Sequence, residues 1–188
     1  MTALPRGNYT EESAPEKDAH TLQKRNGYNM DKIPSFNVNH LSLLPGLYVS
    51  RKDTVGEQVL TTFDIRMTRP NLEPVMDTSA VHAAEHLGAT FLRNHPLWKD
   101  RVIYFGPMGC RTGFYLILQG DLRSEDVTGL LREMFLFIKN YEGEIPGASP
   151  RDCGNYLDMN PAMAQFHARR YLEDFLMQPC AERMNYPV

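Results

Sequence analysis

Residues 1–31 mix polar and charged side chains with neither a two-residue nor a 3.6-residue apolar period, which predicts a disordered tail. From Ile33 the texture changes. Residues 35–44 alternate weakly, and Pro45-Gly46 signals a turn before the stretch LYVSRK. Residues 56–67 are rich in β-branched and aromatic side chains and predict a strand, closed by Arg69-Pro70-Asn71. Asp77, Thr78 and Ser79 can each cap a helix, and residues 80–93 then run without proline, with Gly88 as the single glycine. Asn94-His95-Pro96 stops that helix. Residues 101–106 and 111–120 predict two more strands, joined through Gly106-Pro107-Met108-Gly109-Cys110. Ser124-Glu125-Asp126 precedes a second helix, whose Val127, Leu130, Leu131, Met134, Phe135 and Ile138 recur at helical spacing. A loop over 143–150 leads to Asp152-Cys153-Gly154, and a last helix is expected over 161–176. Connections between strands are too short for parallel crossovers. The expected fold is therefore α+β: one domain over 32–178, with helices packed on a mostly antiparallel sheet. Tails are expected at 1–31 and 179–188.

Charge narrows the partners. Lys plus Arg total 20 and Asp plus Glu total 23, a net charge of −3. That near-balance speaks against nucleic acid or an anionic membrane, both of which select basic patches. A chain of this length buries roughly 70% of its extended surface on folding, enough for a core without metal or disulfide support. There is no apolar run long enough to span a bilayer, and the first residues lack the apolar core of a secretory signal. Three cysteines are too few for a disulfide scaffold, so a reducing cytoplasm is expected.

The sharpest local chemistry is His82-Ala83-Ala84-Glu85-His86. Positions i and i+4 share a helix face, so both imidazoles can meet one ion, with Glu85 beside them. A third ligand is needed, and thiolate suits borderline ions such as Zn²⁺ or Fe²⁺. Cys153 stands in a loop where it can point at an ion held elsewhere. Cys110 stands at a strand mouth beside Arg111, where a guanidinium or a metal would favour its thiolate. Cys180 reads as a core filler or a loose tail thiol.

Four runs in order, FDIRMTRPN, HAAEH, GPMGCRTGFYL and IPGASPRDCGNYLD, resemble the S-ribosylhomocysteine lyase (LuxS) family. The resemblance covers roughly residues 33–177. It implies that His82, His86 and Cys153 bind one divalent metal: Fe²⁺, often replaced by Zn²⁺ or Co²⁺. It implies Glu85 and Cys110 as the acid/base pair, and Ser35, His40 and Arg66 as residues lining the substrate pocket. It further implies a homodimer with active sites at the subunit interface, and a reaction in which S-ribosylhomocysteine gives homocysteine and the precursor of autoinducer-2.

Three positions depart from the family pattern. Ala83 replaces a common Thr, Tyr104 replaces an Asp six residues before the catalytic Cys, and Asp152 replaces a Gln before the metal Cys. None is a ligand or a member of the acid/base pair. Two rival readings remain at this point. An inverzincin-type peptidase shares the H-x-x-E-H order but takes a downstream Glu as third ligand and needs a larger architecture. A structural metal protein calls for a closed four-ligand site. Its spare candidates, His95 and His167, read as a helix-end and a helix-face residue.

Overall fold

The sheet is built by hairpins, as the short connections require. The structure, a computed structural model, describes residues 36–187. Tail 1–31 and Ser35 lie outside the described residues. Strand β1 (Gly46–Val55) pairs with β2 (Gln58–Arg66), and β3 (Val102–Pro107) pairs with β4 (Gly113–Gln119). The two hairpins meet along β2 and β4, giving the order β1-β2-β4-β3 with every pairing antiparallel. Gly56 makes the β1–β2 turn at φ 61, a left-handed conformation that glycine adopts without steric cost. The stretch after Pro45-Gly46 is thus a ten-residue strand.

Alternation along β2 sorts the sheet into two faces. Phe63 pairs with Leu116 and Ile65 with Phe114, and all four are fully buried against the helices. Burying each such side chain contributes about 1.5–3 kcal/mol. Between them, Tyr48, Asp64 and Tyr115 stand side by side on the opposite face.

Helix α1 spans Thr78–Asn94 and is capped by Asp77, whose side chain accepts from the Ala80 N–H at 2.9 Å. His95 closes it, as Asn94-His95-Pro96 implied. Helix α2 (Ser124–Lys139) starts one residue earlier than its Ser-Glu-Asp run suggested. Its cap is Arg123, whose N–H donates to the Asp126 carboxylate at 2.8 Å. Helix α3 (Pro161–Tyr171) begins at an Asn160 cap and passes into one π-helical turn, Leu172–Leu176. No helix among the described residues is long and apolar enough to cross a membrane.

The buried face of α1 is made of small residues: Ala80, Ala83, Ala84 and Gly88 accompany Val81, Leu87 and Leu92. Ala83 is fully buried, so a methyl is what this packing takes. Gly88 allows the closest approach, since a Cβ there would stand 2.5 Å from the Phe105 ring of β3. Gly88→Leu is expected to destabilise the fold by about 1–3 kcal/mol through overpacking. A urea midpoint equal to the parent's would contradict that packing.

Candidate active site

The small residues of α1 seat it against the core and leave His82, Glu85 and His86 at the boundary, each half-buried. The two imidazoles stand edge to face with ring centroids 4.9 Å apart. A loop after α2 closes over this edge. His82 Nδ1 lies 3.0 Å from the Asp158 carbonyl oxygen and His86 Nδ1 lies 2.7 Å from that of Pro146. A carbonyl can only accept, so each ring donates from Nδ1, and the neutral tautomer with that donor carries its lone pair on Nε2. This is how metal-binding imidazoles are oriented in general. The loop is stapled to the helix start by Asn160, whose N–H donates to the Ser79 carbonyl at 2.9 Å.

Gly147 lets the loop come this close. Its φ is 73, and a Cβ there would meet His86 Nδ1 at 3.3 Å. The chain then turns through Ser149, whose carbonyl accepts from the N–H groups of Asp152 and Cys153. Asp152 accepts from the Ser149 hydroxyl at 2.7 Å, a role within the turn. Cys153 Sγ ends 3.4 Å from His82 Nε2 and accepts the Asn155 N–H at 3.4 Å. One donor atom each from His82, His86 and Cys153 fall within 4.8 Å of one another. Two imidazoles and a thiol could hold a metal ion, and the set suits a borderline ion such as Zn²⁺ or Fe²⁺. Among the described residues this is the one such group of three. His95 lies away from it, 3.2 Å from Glu133, and His167 is buried on α3.

Cys110 occupies the β3–β4 turn. Met108 N–H donates to Gly113 O and Arg111 N–H to Met108 O, with Arg111 in the left-handed region at φ 58. Such a conformation costs a non-glycine residue about 1–2 kcal/mol, and here it leaves the thiol exposed at the turn tip. The Arg111 carbonyl accepts from Met76 N–H, one residue before the α1 cap. His82 lies five residues beyond that cap, about 8 Å along the helix. The thiol turn and the histidine pair are therefore anchored to the same end of α1.

The guanidinium at this thiol belongs to Arg66 rather than to the adjacent Arg111. Arg66 is only 3% exposed, which excludes a solvated strand charge. Its pairing neighbours on β1 and β4 are Gly46 and Gly113, so no side chain flanks it. Nη2 donates to Asp64 Oδ2 at 2.5 Å, and Nη1 donates to Thr112 Oγ1 at 2.5 Å while lying 3.9 Å from Cys110 Sγ. Because the Thr112 oxygen accepts from Arg66, its own proton is free for the sulfur 3.0 Å away. Burial pushes the Cys110 thiol up, but the Thr112 hydroxyl and amide and the Arg66 charge outweigh it, and the net shift is downward. Burial works against the Arg66 charge as well, and the Asp64 carboxylate more than restores it. The Asp64 carboxyl itself is lifted by burial, against the pull of Arg66, Tyr186 and His40.

His40 is half-buried, its Nδ1 2.8 Å from the Val38 carbonyl oxygen, and it stands near enough to Asp64 to favour that carboxylate. Tyr104 is exposed on the edge strand β3 and folds over Gly106. Asp64, Thr112 and Tyr186 were not marked by motif reasoning. Asp64 sits two residues from Arg66 on β2, and that same-face spacing on a strand is the signal that could have found it; Thr112 lies two residues from Cys110 in the β3–β4 turn, where no strand spacing marks it.

A family model described as S-ribosylhomocysteinase (LuxS) matches residues 33–181. An S-ribosylhomocysteine lyase of Clostridium beijerinckii is 60% identical over 158 residues, covering 84% of this chain and 99% of that protein. One from Finegoldia magna is 66% identical over 143 residues, 76% of this chain and 90% of its own length. One from Porphyromonas gingivalis is 53% identical over 158 residues, 84% of this chain and 99% of its own. With the model spanning most of the sequence and relatives matched nearly end to end, the chain belongs to the S-ribosylhomocysteinase (LuxS) family of lyases.

Proposed function

We propose that this chain cleaves the thioether of S-ribosylhomocysteine, giving homocysteine and 4,5-dihydroxy-2,3-pentanedione, the precursor of autoinducer-2. The observation that carries the reading is the donor set of His82, His86 and Cys153 gathered at one point in a chain of this family. A peptidase of the inverted zinc motif is disfavoured, because the third donor beside the two imidazoles is a thiol and not a carboxylate.

The substrate explains why two proton-transfer groups are useful. A thioether with no acidic neighbour does not eliminate. The ribose carbonyl must first migrate from C1 to C2 and then to C3, and each shift removes and returns a proton α to a carbonyl. With the carbonyl at C3, the C4 proton becomes acidic and homocysteine thiolate leaves from C5. Cys110 and Glu85 are the groups assigned to move these protons, Cys110 at the early carbons and Glu85 at the later ones. The Cys110 thiol, lowered from its ordinary value, supports its use as a base. Arg66 steadies that thiolate through Thr112, and a buried guanidinium can also pair with a substrate oxygen or carboxylate. The resemblance assigns Ser35 and His40, with Arg66, to the binding of the substrate. An ion on His82, His86 and Cys153, Fe²⁺ by resemblance with Zn²⁺ or Co²⁺ as substitutes, supplies a Lewis acid for the carbonyl oxygen without redox chemistry. Purified protein given S-ribosylhomocysteine should release homocysteine, read as free thiol, and the diketone in equal amounts. Protein that releases neither at any metal loading would end the reading.

The same proposal places the enzyme in the cytoplasm as a homodimer with shared sites, and residues 1–31 outside its catalytic domain. Phe36 (63% exposed) and Leu41 (74%), close to His40 in sequence, are large apolar side chains left on the surface, as a subunit interface would have them. Sedimentation at micromolar concentration is expected to give a dimer. A fully active monomer would contradict shared sites.

A further inference from the structure

We propose that Tyr186 is a positioning residue, holding Asp64 and through it Arg66 in place against the Cys110 thiol. The inference rests on the reading of Cys110 as a proton-transfer group. Tyr186 lies beyond residues 33–181, the span that the family model matches, so the resemblance assigns it nothing.

The observations form a chain of contacts. After α3 the backbone returns across the sheet, and Arg183 anchors it by donating to the Pro45 carbonyl. That brings the Tyr186 ring flat onto Tyr48, with centroids 4.8 Å apart and planes 5° from parallel. The stack aims the Tyr186 hydroxyl at Asp64, where it donates to Oδ2 at 2.9 Å. The same oxygen accepts from Arg66 Nη2. Asp64 Oδ1 and Arg66 Nε are buried with no partner among the described residues. A pair so sparsely bonded depends on each contact it has, because a buried carboxylate left short of donors costs far more than an exposed one. Arg66 then carries the arrangement to Thr112 and Cys110. Burial and the Asp64 charge push the Tyr186 phenol far above its ordinary value, so it remains a donor throughout the working pH range.

The titratable and charged groups around this assembly are Asp64 and Arg66 from β2, Arg51 and Tyr48 from β1, Tyr115 from β4, Tyr171 from α3, His40, and Cys180, Arg183 and Tyr186 from the segment after α3. Of these, Arg66 acts directly on the thiol. Loss of the Tyr186 hydroxyl leaves Asp64 with one side-chain donor among the described residues and lets Arg66 relax from Thr112. The thiolate is then less favoured, and the pH at which Cys110 becomes reactive rises.

The test is Tyr186→Phe in the full-length, metal-loaded protein, which keeps the ring stack and removes only the donor. Iodoacetamide labelling of the Cys110 peptide, followed by mass spectrometry across pH, reads the thiolate without any substrate. The expected result is a profile displaced to higher pH, with labelling at pH 7 slowed about threefold or more. Homocysteine release should show kcat lowered about three- to tenfold with KM little changed. Tyr48→Phe keeps the stack and loses a hydroxyl that donates to the Leu44 carbonyl, so it is the control and should leave the labelling profile unmoved. A parent-like labelling profile in Tyr186→Phe overturns the inference even if the melting temperature falls. An equal displacement in Tyr48→Phe also overturns it, since general packing would then account for both. Should the parent protein release no homocysteine while the labelling profile still shifts in Tyr186→Phe alone, the positioning stands and the lyase reading fails.

Discussion

Cys153→Ala is expected to fold like the parent and to lose both its metal and its turnover. The thiol is half-buried on a loop whose own hydrogen bonds run through Ser149 and Asp152, so its removal opens no core cavity. What it removes is the one donor that comes from outside α1. Even groups that merely orient a metal ligand contribute about 10–100-fold to affinity, and a direct ligand contributes more. Metal analysis after dialysis should therefore show the variant nearly empty where the parent holds one ion per chain. His82→Ala and His86→Ala should behave alike. A Cys153→Ala protein that keeps a full complement of metal would remove this thiol from the site.

Cys110→Ala and Glu85→Gln are expected to show the opposite combination, full metal and little turnover. Neither belongs to the three-residue donor group. General acid or base groups typically contribute on the order of 10²–10⁴-fold in rate, and here the two act in successive proton transfers. Each substitution alone should thus stop the sequence at its own step. The lowered Cys110 thiol adds a sign to the pH dependence. Its thiolate persists below the ordinary thiol range near pH 8.5 and is lost only as pH falls through the depressed value, so the acid limb of activity should lie below that range. Parent-like turnover in Cys110→Ala would break the assignment. Loss of metal in Glu85→Gln would move Glu85 from proton transfer to the support of the ion.

The features legible in the sequence are local. Asp77 as a cap, Asn94-His95-Pro96 as a stop and two imidazoles one turn apart are all decided within a few residues, and the structure keeps each. Strand β1 was harder to read, because its outer half is exposed on both faces and a bulge after Val49 interrupts the alternation. The cap of α2 fell one residue early because the Asp126 carboxylate reaches back to Arg123 in place of Ser124. The setting of Arg66 was beyond local reading altogether. Alternation put Asp64 and Arg66 opposite the core face, where charges ordinarily meet water. Both are buried all the same: a segment 122 residues from Asp64 in sequence folds back and sets Tyr186 on its carboxylate, and Arg66 pairs with that carboxylate. Likewise, the carbonyls of Pro146 and Asp158 that fix the histidine rings lie 60 and 76 residues from their partners. No period or spacing carries such contacts.

The most direct test of the lyase reading is a metal titration of the stripped protein with homocysteine release as the readout. Release from S-ribosylhomocysteine is expected to rise in proportion to added Co²⁺ or Zn²⁺ and to level off at one ion per chain. In the same titration Cys153→Ala should stay flat. Activity that is indifferent to the metal, or equal in the parent and Cys153→Ala, would contradict it.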